Sequence, residues 1–178
     1  MTPHDVVPEL IVIAGAPGTG KSTLARQLQQ RWPRAPYIEL SSFREFHLRE
    51  ADWSDQSVED EEVAWENLVF CVRTYARRGW TPVIVTDLRE QRVQQVPGQF
   101  GDLQFAILTL VANDETIRER VGARTEGFVA VDKALAWNHG VRERDVIVNE
   151  TKIDVHALTP VALADVAVTA VTTTDGSG

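Results

Sequence analysis

Short apolar runs alternate along the chain with longer segments in which apolar residues recur at helical spacing. The apolar runs are Leu10–Ala14, Tyr37–Leu40, Pro82–Asp87, Leu103–Val111 and Asp145–Val148. Runs of this length with few polar interruptions are typical of strands that are buried on both faces of a sheet. The pattern therefore predicts five strands.

Helical spacing predicts the segments that separate these strands. It is clearest over Ser57–Arg78, and helices are also predicted over Ser22–Trp32, from Asp114 onward, over Val131–Arg142 and from Thr159 onward. Strands that alternate with helices form a parallel sheet with helices on both faces. We therefore expect one three-layer α/β/α domain that covers the whole chain and has a five-stranded parallel sheet.

Composition and charge narrow the class of protein. The 178 residues are 43% hydrophobic and carry a net charge of -8, which disfavours binding to nucleic acid or to an anionic membrane, because both need a cationic surface. No run approaches the roughly 20 apolar residues of a membrane-spanning helix. The single cysteine, Cys71, excludes an internal disulfide and fits a reducing compartment. We therefore expect a cytoplasmic protein, with a flexible tail over residues 171–178.

The turn between the first strand and the first helix matches a phosphate-binding loop. Glycines in the pattern G-x-x-x-x-G-K-[ST] let backbone N–H groups point into the loop, and the helix N-terminus adds donors and a partial positive charge. Lys21 is placed to reach the β- and γ-phosphates, and the Ser22 hydroxyl is the expected Mg²⁺ ligand. ATP and Mg²⁺ are therefore the predicted cofactors. The predicted nucleotide-binding residues are Gly15, Ala16, Pro17, Gly18, Thr19, Gly20, Lys21, Ser22 and Thr23.

Asp87, at the end of the third apolar run, is the second predicted magnesium-side residue, because P-loop proteins carry a carboxylate there. Its alternative role is an N-cap for the helix that follows. Leu88 stands where motor ATPases usually have a glutamate that polarises water, so rapid ATP hydrolysis is not expected. Thr151–Asp154 (TKID) matches a guanine-reading motif and keeps a GTPase open, although no D-x-x-G switch follows the third strand.

The chain resembles the small P-loop kinases, among them nucleoside monophosphate, shikimate and gluconate kinases. The resemblance runs from LIVIAGAPGTGKST through VIVTDLRE and TIRERVGAR to DVIVNET. It implies a sheet order of 2-3-1-4-5, with the strands numbered along the chain. It also implies a mobile lid over about residues 118–130, in which Arg118–Arg124 covers ATP, and an adenine base bordered by Asn149–Thr151.

The arginines of this lid are candidates for catalysis. A guanidinium group that arrives on lid closure stabilises charge on the transferring phosphoryl group. On a regular helix Arg118 and Arg120 point about 200° apart, whereas Arg120 and Arg124 share a face. We therefore predict Arg120 and Arg124 as catalytic residues beside Lys21 and Asp87. A solvated surface position is the alternative for both arginines.

The segment after the second strand is expected to bind the phosphoryl acceptor. Related kinases often carry an aspartate there to activate a hydroxyl group, but here that position falls on or beside Ser42, which leaves Glu39 or Asp87 as the base. Arg44 and Arg89 are predicted to converge on one pocket and to bind an acceptor that is already anionic. The segment TDLRE also looks like the Asp-x-Arg segment of deoxynucleotide and phosphomevalonate kinases. Surface charge is the alternative role of both arginines.

Four further side chains crowd the same segment, namely Phe43, Phe46, His47 and Trp53. Aromatic rings there either stack on a planar base or pack the segment onto the domain. His47 is a further candidate for a general base.

These patterns predict an ATP- and Mg²⁺-dependent kinase for a small molecule. The favoured acceptor is a nucleotide or another phosphorylated compound, and a hydroxyl acceptor such as a nucleoside, a sugar or an antibiotic is the alternative. A regulatory switch that binds GTP or ATP is the alternative from another class. Neither nucleic acid nor a membrane is expected as a partner, and a homodimer is left open.

Overall fold

Five parallel strands form the central sheet. The computed structural model describes residues 5–46 and 58–174. The strands lie in the order β2-β3-β1-β4-β5, and every neighbouring pair is parallel. The predicted order 2-3-1-4-5 is therefore confirmed. The strands are β1 (Leu10–Gly15), β2 (Tyr37–Glu39), β3 (Val83–Thr86), β4 (Phe105–Val111) and β5 (Glu150–Asp154).

Helices connect the strands and cover both faces of the sheet. Helices α1, α5, α6 and α7 pack on one face, and α3 and α4 pack on the other. The predicted three-layer α/β/α architecture is therefore confirmed. The helices in the described ranges are α1 (Lys21–Arg31), α2 (Leu40–Arg44), α3 (Val58–Arg77), α4 (Glu90–Phe100), α5 (Asp114–Gly122), α6 (Val131–Glu143) and α7 (Pro160–Val171).

The central strand β1 contributes to both halves of the hydrophobic core. Ile11 and Ile13 point towards α1 and α7, whereas Leu10, Val12 and Ala14 point towards α3 and α4. All residues of β1 are buried, as expected for a strand in the middle of a sheet that is covered on both faces. This burial fixes the position at which the chain leaves the sheet and enters the glycine-rich turn.

The fifth strand lies further along the chain than the sequence pattern predicts. The prediction of a strand over Asp145–Val148 is wrong, because Val146 and Val148 are each 66% exposed. In contrast, the Glu150 carboxylate at the start of β5 is fully buried and lies 2.6 Å from Nη2 of Arg144. A buried ion pair, and not the burial of the valines, fixes the position of this edge strand.

The pattern of apolar residues does not predict helices α2 and α4. The segment of α2 has no clean period, and α4 contains Pro97 and Gly98, two residues that weaken a helical pattern. Asp5–Val6 and Thr173–Thr174 form a separate antiparallel ribbon, the second strand of which lies within the segment predicted as a flexible tail. In the described part of the chain, no helix combines the length and the apolar character that crossing a membrane requires.

Candidate active site

The turn between β1 and α1 has a backbone that favours glycine at three positions. Gly15, Gly18 and Gly20 have φ angles of 127°, 90° and 95°. A Cβ atom at Gly15 would lie 2.3 Å from the backbone oxygen of Leu110, and one at Gly18 would lie 2.8 Å from Cγ2 of Val121. Glycine is therefore required both by the backbone conformation and by the close approach of β4 and α5.

The same turn presents backbone N–H groups at the start of α1. The N-cap residue of α1 is Gly20, which has no side chain to accept hydrogen bonds from the first helical turn. Thr19 is fully buried, and its hydroxyl donates to the carbonyl oxygen of Ala16 at 2.8 Å, which braces the loop. Because the helix N-terminus carries a partial positive charge, this loop is suited to bind the phosphates of a nucleotide.

The Lys21 side chain folds back against the loop. Its Nζ atom donates to the carbonyl oxygens of Gly15 at 2.9 Å and Ala16 at 3.0 Å. Burial lowers the pKa of Lys21 to about 8, although the nearby carboxylates of Asp87 and Glu39 partly oppose this shift. An ammonium group with little access to water gains more from a polyphosphate than a solvated one does. Lys21 therefore has the location and the electrostatics of a phosphate-binding lysine.

Asp87 follows β3 in a left-handed backbone conformation, with a φ angle of 65°. Aspartate tolerates this conformation better than most residues, and such conformations cluster at functional sites. Its Oδ2 atom accepts hydrogen bonds from the backbone N–H of Ser41 at 3.0 Å and from Nη2 of Arg44 at 2.5 Å. The side chain is still 43% exposed. The carboxylate is therefore oriented through one oxygen and remains accessible to a ligand.

Arg44 is buried between two carboxylates. Its side chain is 9% exposed, and its Nη1 donates to Oε2 of Glu61 at 3.2 Å, while Nη2 donates to Asp87. Arg89 is 55% exposed, and its Nε lies 3.9 Å from the same Glu61 oxygen. Arg44 and Arg89 were predicted to converge on an anion, and both contact Glu61. The formal charges of Arg44, Glu61, Arg89 and Asp87 sum to zero.

Tyr37, at the start of β2, forms a hydrogen-bonded group with Glu39 and Thr86, the last residues of β2 and β3. The Tyr37 hydroxyl donates to the Glu39 carboxylate and lies 3.2 Å from Oγ1 of Thr86. Burial and the hydrogen bond with Glu39 raise the pKa of Tyr37, and the Ser22 hydroxyl is a further partner that opposes the shift. Against the larger effect of burial, the Glu39 carboxylate also raises the pKa of Lys21 slightly.

The predicted lid begins inside α5 and continues as a loop in which nearly every residue is exposed. Nη1 of Arg120 lies 3.4 Å from the carbonyl oxygen of Gly18, to which it donates. Arg124 lies in the exposed loop, close enough to Lys21 to help lower its pKa. Both arginines are thus near the phosphate-binding loop, and closure of the lid over a nucleotide stays a prediction.

Ser42 and the neighbouring aromatic residues lie at the edge of this arrangement. Ser42 is exposed on α2, and the adjacent residue Ser41 makes the contact with Asp87 through its backbone. Phe43 packs against the core beside α3, whereas Phe46 is 78% exposed. The remaining predictions in this segment, for His47 and Trp53, lie outside the described residues.

The two segments that were predicted to contact the nucleotide base, Asn149–Thr151 and TKID, do not follow the fifth strand as expected. Gly15 pairs with Leu110 of β4, and Leu110 pairs with Ile153 of β5. The phosphate-binding loop is therefore level with the end of β5. Asn149–Thr151 was expected to follow the fifth strand, which is wrong, because this segment lies at the start of β5. Its contact with adenine stays a prediction. The TKID segment lies within β5 itself, with Ile153 buried, so it does not form a base-reading loop after a strand.

Three side chains of the site were not predicted to act there. Glu61 belongs to the acidic run EDEE, which is typical of a solvated helix surface, so only its tertiary contact with Arg44 reveals it. Tyr37 and Thr86 lie within strand runs that indicate burial. The sequence signal for Tyr37 is the strand parity that it shares with Glu39, which places both side chains on one face.

The oxygen donors near Lys21 fit a magnesium–nucleotide complex. Mg²⁺ is usually held by one or two protein oxygens together with the phosphates of the substrate. The hydroxyl of Ser22 and the carboxylate of Asp87 are donors of this kind. Among the residues that the structure describes, no group of three or more His, Cys, Asp or Glu side chains could hold a metal ion. A divalent cation held by these two donors would take its remaining ligands from the nucleotide and from water.

Comparison with known proteins identifies the family and supports the fold. A family model described as "AAA domain" matches residues 10–144. Among solved structures, the chain is similar to a gluconokinase from Sinorhizobium meliloti 1021, with a TM-score of 0.68 and 15% identity over 93% of this chain and 92% of that chain. It is also similar to a sugar kinase from Janibacter sp. HTCC2649, with a TM-score of 0.64 and 19% identity over 90% and 92% of the two chains.

A third similar structure is the tunicamycin resistance protein of Deinococcus radiodurans, with a TM-score of 0.68 and 22% identity over 90% of this chain and 93% of that chain. At these identities the likeness shows the shared fold, whereas the family match covers most of the chain. The chain therefore belongs to the AAA domain family and has the fold of the small P-loop kinases.

Proposed function

We propose that the protein is an ATP- and magnesium-dependent kinase that transfers the γ-phosphoryl group to a hydroxyl group of a small molecule. The observation that carries the proposal is the pairing of Lys21, folded into a glycine-framed loop, with the accessible carboxylate of Asp87 that acts on its pKa. Two similar structures are kinases named for gluconate and for sugars, which supports the same class of reaction.

The residues of this chain divide the work of such a reaction. Lys21 and the loop N–H groups would hold the β- and γ-phosphates, and Ser22 and Asp87 would hold the cation. Magnesium, when bound, neutralises part of the charge of the phosphates. The acceptor oxygen would attack the γ-phosphorus atom as ADP leaves, and the Glu39 carboxylate would take the hydroxyl proton. Arg120 and Arg124 would stabilise the transferring group from the lid.

The distribution of charge favours a neutral hydroxyl over a phosphate as the acceptor group. Arg44, which was predicted to bind an anion, already contacts Glu61 and Asp87. Because Arg44, Arg89 and these two carboxylates sum to zero charge, they offer little net attraction to a dianion. A phosphorylated acceptor, such as a nucleotide, remains the second candidate, since the half-exposed Arg89 guanidinium is accessible to an anion.

Matched pairs of acceptors test this proposal. ADP release is measured with each hydroxyl compound and with its own phosphate ester, for example a nucleoside and its monophosphate, or gluconate and 6-phosphogluconate. We expect hydroxyl members to stimulate ADP release more than their esters do. Stimulation by the esters alone would shift the conclusion to the second candidate. If the wild-type protein binds no magnesium–ATP, that result contradicts the kinase assignment itself.

A further inference from the structure

The acidic first turn of α3 contributes one side chain to the candidate site. Glu61 and Glu62 are neighbours, and each forms an ion pair with a different buried arginine. Glu61 is 12% exposed and pairs with Arg44, whereas Glu62 is 53% exposed and pairs with Arg92 on α4. Of these two arginines, Arg44 also contacts Asp87 in the described part of the chain. The two glutamates are therefore a natural matched pair, in which one is connected to the site and the other is not.

Arg44 connects Glu61 to Asp87 through the two ends of its guanidinium group. Nη1 lies 3.2 Å from the Glu61 carboxylate, and Nη2 lies 2.5 Å from Oδ2 of Asp87. The backbone N–H of Ser41 donates to the same Oδ2 atom. The guanidinium and the N–H thus orient the Asp87 carboxylate through one oxygen. The Asp87 side chain is 43% exposed, so a ligand can still reach the carboxylate.

The contact between Arg44 and Asp87 weakens the attraction of Asp87 for a cation. A guanidinium group in direct contact with Asp87 cancels much of the negative charge that a divalent cation needs, and it does so strongly where water is excluded. The 9% exposure of Arg44 means that solvent screens its charge poorly. Glu61 contacts the other terminal nitrogen of the same guanidinium and offsets its charge, so that Arg44, Glu61 and Asp87 together carry one net negative charge. Arg89 lies 3.9 Å from the same Glu61 oxygen, but it is 55% exposed and its charge is therefore better screened by water.

We propose that Glu61 is a positioning residue that neutralises Arg44, so that Arg44 orients Asp87 without cancelling the charge that Asp87 presents to magnesium. This inference rests on the proposed function, because it assumes that Asp87 faces a magnesium–nucleotide complex. It assigns a role to Glu61 that its place in an acidic helical run does not indicate. It also explains why a buried arginine in this site is bonded to two carboxylates.

The test measures the magnesium concentration that half-saturates nucleotide binding, by titrating the protein and a fluorescent ATP analogue with MgCl₂. We expect Glu61→Gln to raise this concentration about fivefold to tenfold, a range typical of coupling between contacting charged groups. The control Glu62→Gln removes the same charge from the adjacent position and should change the value less than twofold. An equal effect of the two variants would overturn the inference, because it would reflect long-range charge alone.

Two further variants separate charge from hydrogen-bond geometry and from folding. Glu61→Asp keeps the charge and should stay closer to the wild type than Glu61→Gln does. The double variant R44Q/E61Q removes both charges and should need about as much magnesium as the wild type, and it carries the test if Glu61→Gln alone does not melt cooperatively. A fivefold increase in the double variant would overturn the inference. A wild type that binds no magnesium–nucleotide contradicts the proposed function, whereas normal magnesium binding by Glu61→Gln contradicts only the role of Glu61.

Discussion

The nucleotide side of the candidate site consists mainly of backbone groups, whereas the acceptor side consists of charged side chains. The nucleotide side is a backbone structure, in which Gly15, Gly18 and Gly20 adopt positive φ angles and Lys21 is bonded to loop carbonyl oxygens. The acceptor side is a set of charged side chains from separate segments, namely Arg44, Glu61 and Arg89. Arg44 also contacts Asp87, which the proposed function places with the magnesium ion. One side is defined by local sequence and the other by tertiary contacts.

This difference has a consequence for specificity. A backbone cradle binds any triphosphate in the same way, because the donors belong to the main chain and to the helix N-terminus. A cluster of paired charges is sensitive to each of its members, since removing one leaves another buried without its partner. We therefore expect substitutions on the nucleotide side to abolish activity, and substitutions on the acceptor side to change stability and substrate preference.

The largest effect is expected for Lys21→Ala. Loss of the ammonium group should lower acceptor-dependent ADP release by at least about a hundredfold, as for other single groups that stabilise transition-state charge. Circular dichroism should show an unchanged fold, because Lys21 hydrogen-bonds only to carbonyl oxygens of the loop in the described contacts. Lys133→Ala, on the exposed surface of α6, is the control and should keep full activity. Activity of Lys21→Ala near the wild-type level would contradict the assignment of the loop.

On the acceptor side, Arg44 and Arg89 should differ in their contribution to stability. Arg44→Gln leaves the Glu61 carboxylate, which is 12% exposed, without this counter-charge and should lower the free energy of unfolding by about 3–5 kcal/mol. Arg89→Gln removes a half-exposed charge and should cost less than about 1 kcal/mol. Urea denaturation measures both values. Equal losses in the two variants would show that Arg44 is not the centre of the charged cluster.

A smaller effect is expected where the lid meets the loop. Arg120→Gln should lower kcat about tenfold or more, because its guanidinium lies beside Gly18, while KM for ATP changes less. Arg118→Gln is the matched control, since Arg118 is exposed and points away from Arg120 on α5. Steady-state kinetics of both variants measure the difference. Similar kcat values for the two variants would make Arg120 an ordinary surface residue.

The contrast between local sequence and tertiary contacts also separates the features that the sequence predicts from those that it does not. The central strand and the phosphate-binding turn follow from local patterns, because a buried apolar run and a glycine-rich turn have few other solutions. The sheet order was implied by the resemblance to the small P-loop kinases, not by any local pattern. The position of β5 does not follow from a local pattern. Glu150 is buried in an ion pair with Arg144, while Val146 and Val148 before it are exposed. Local apolarity is a poor guide where a tertiary ion pair decides burial.

On the acceptor side, the sequence predicts the arginines but not the carboxylates that pair with them. Arg44 and Arg89 are recognisable as candidates because each follows a strand at the carboxyl edge of the sheet. The sequence does not show that Glu61 contacts Arg44, which lies 17 residues away along the chain. Pairing of this kind depends on the packing of α2 against α3. A prediction of an anion-binding pocket from arginines alone therefore omits the carboxylates that neutralise them.

Titration of Lys21 affects stability and binding in opposite directions. The folded-state pKa of about 8 is below the ordinary value of 10.5, so between these values the unfolded chain binds a proton that the folded chain does not. The contribution of Lys21 to the free energy of unfolding therefore rises with pH across this window and is constant below it. A bound polyphosphate favours the ammonium form, so nucleotide binding should take up a proton above the folded-state pKa.

Proton uptake on nucleotide binding tests the central claim, that Lys21 and the surrounding loop bind the polyphosphate of ATP. Calorimetric titrations with magnesium–ATP in two buffers of different ionisation enthalpy should show uptake of most of one proton at about pH 8.5 and little at about pH 7. Lys21→Arg keeps a permanent charge and should show no such uptake at either pH. Binding without proton uptake at the higher pH, or the same uptake by Lys21→Arg, would contradict the account.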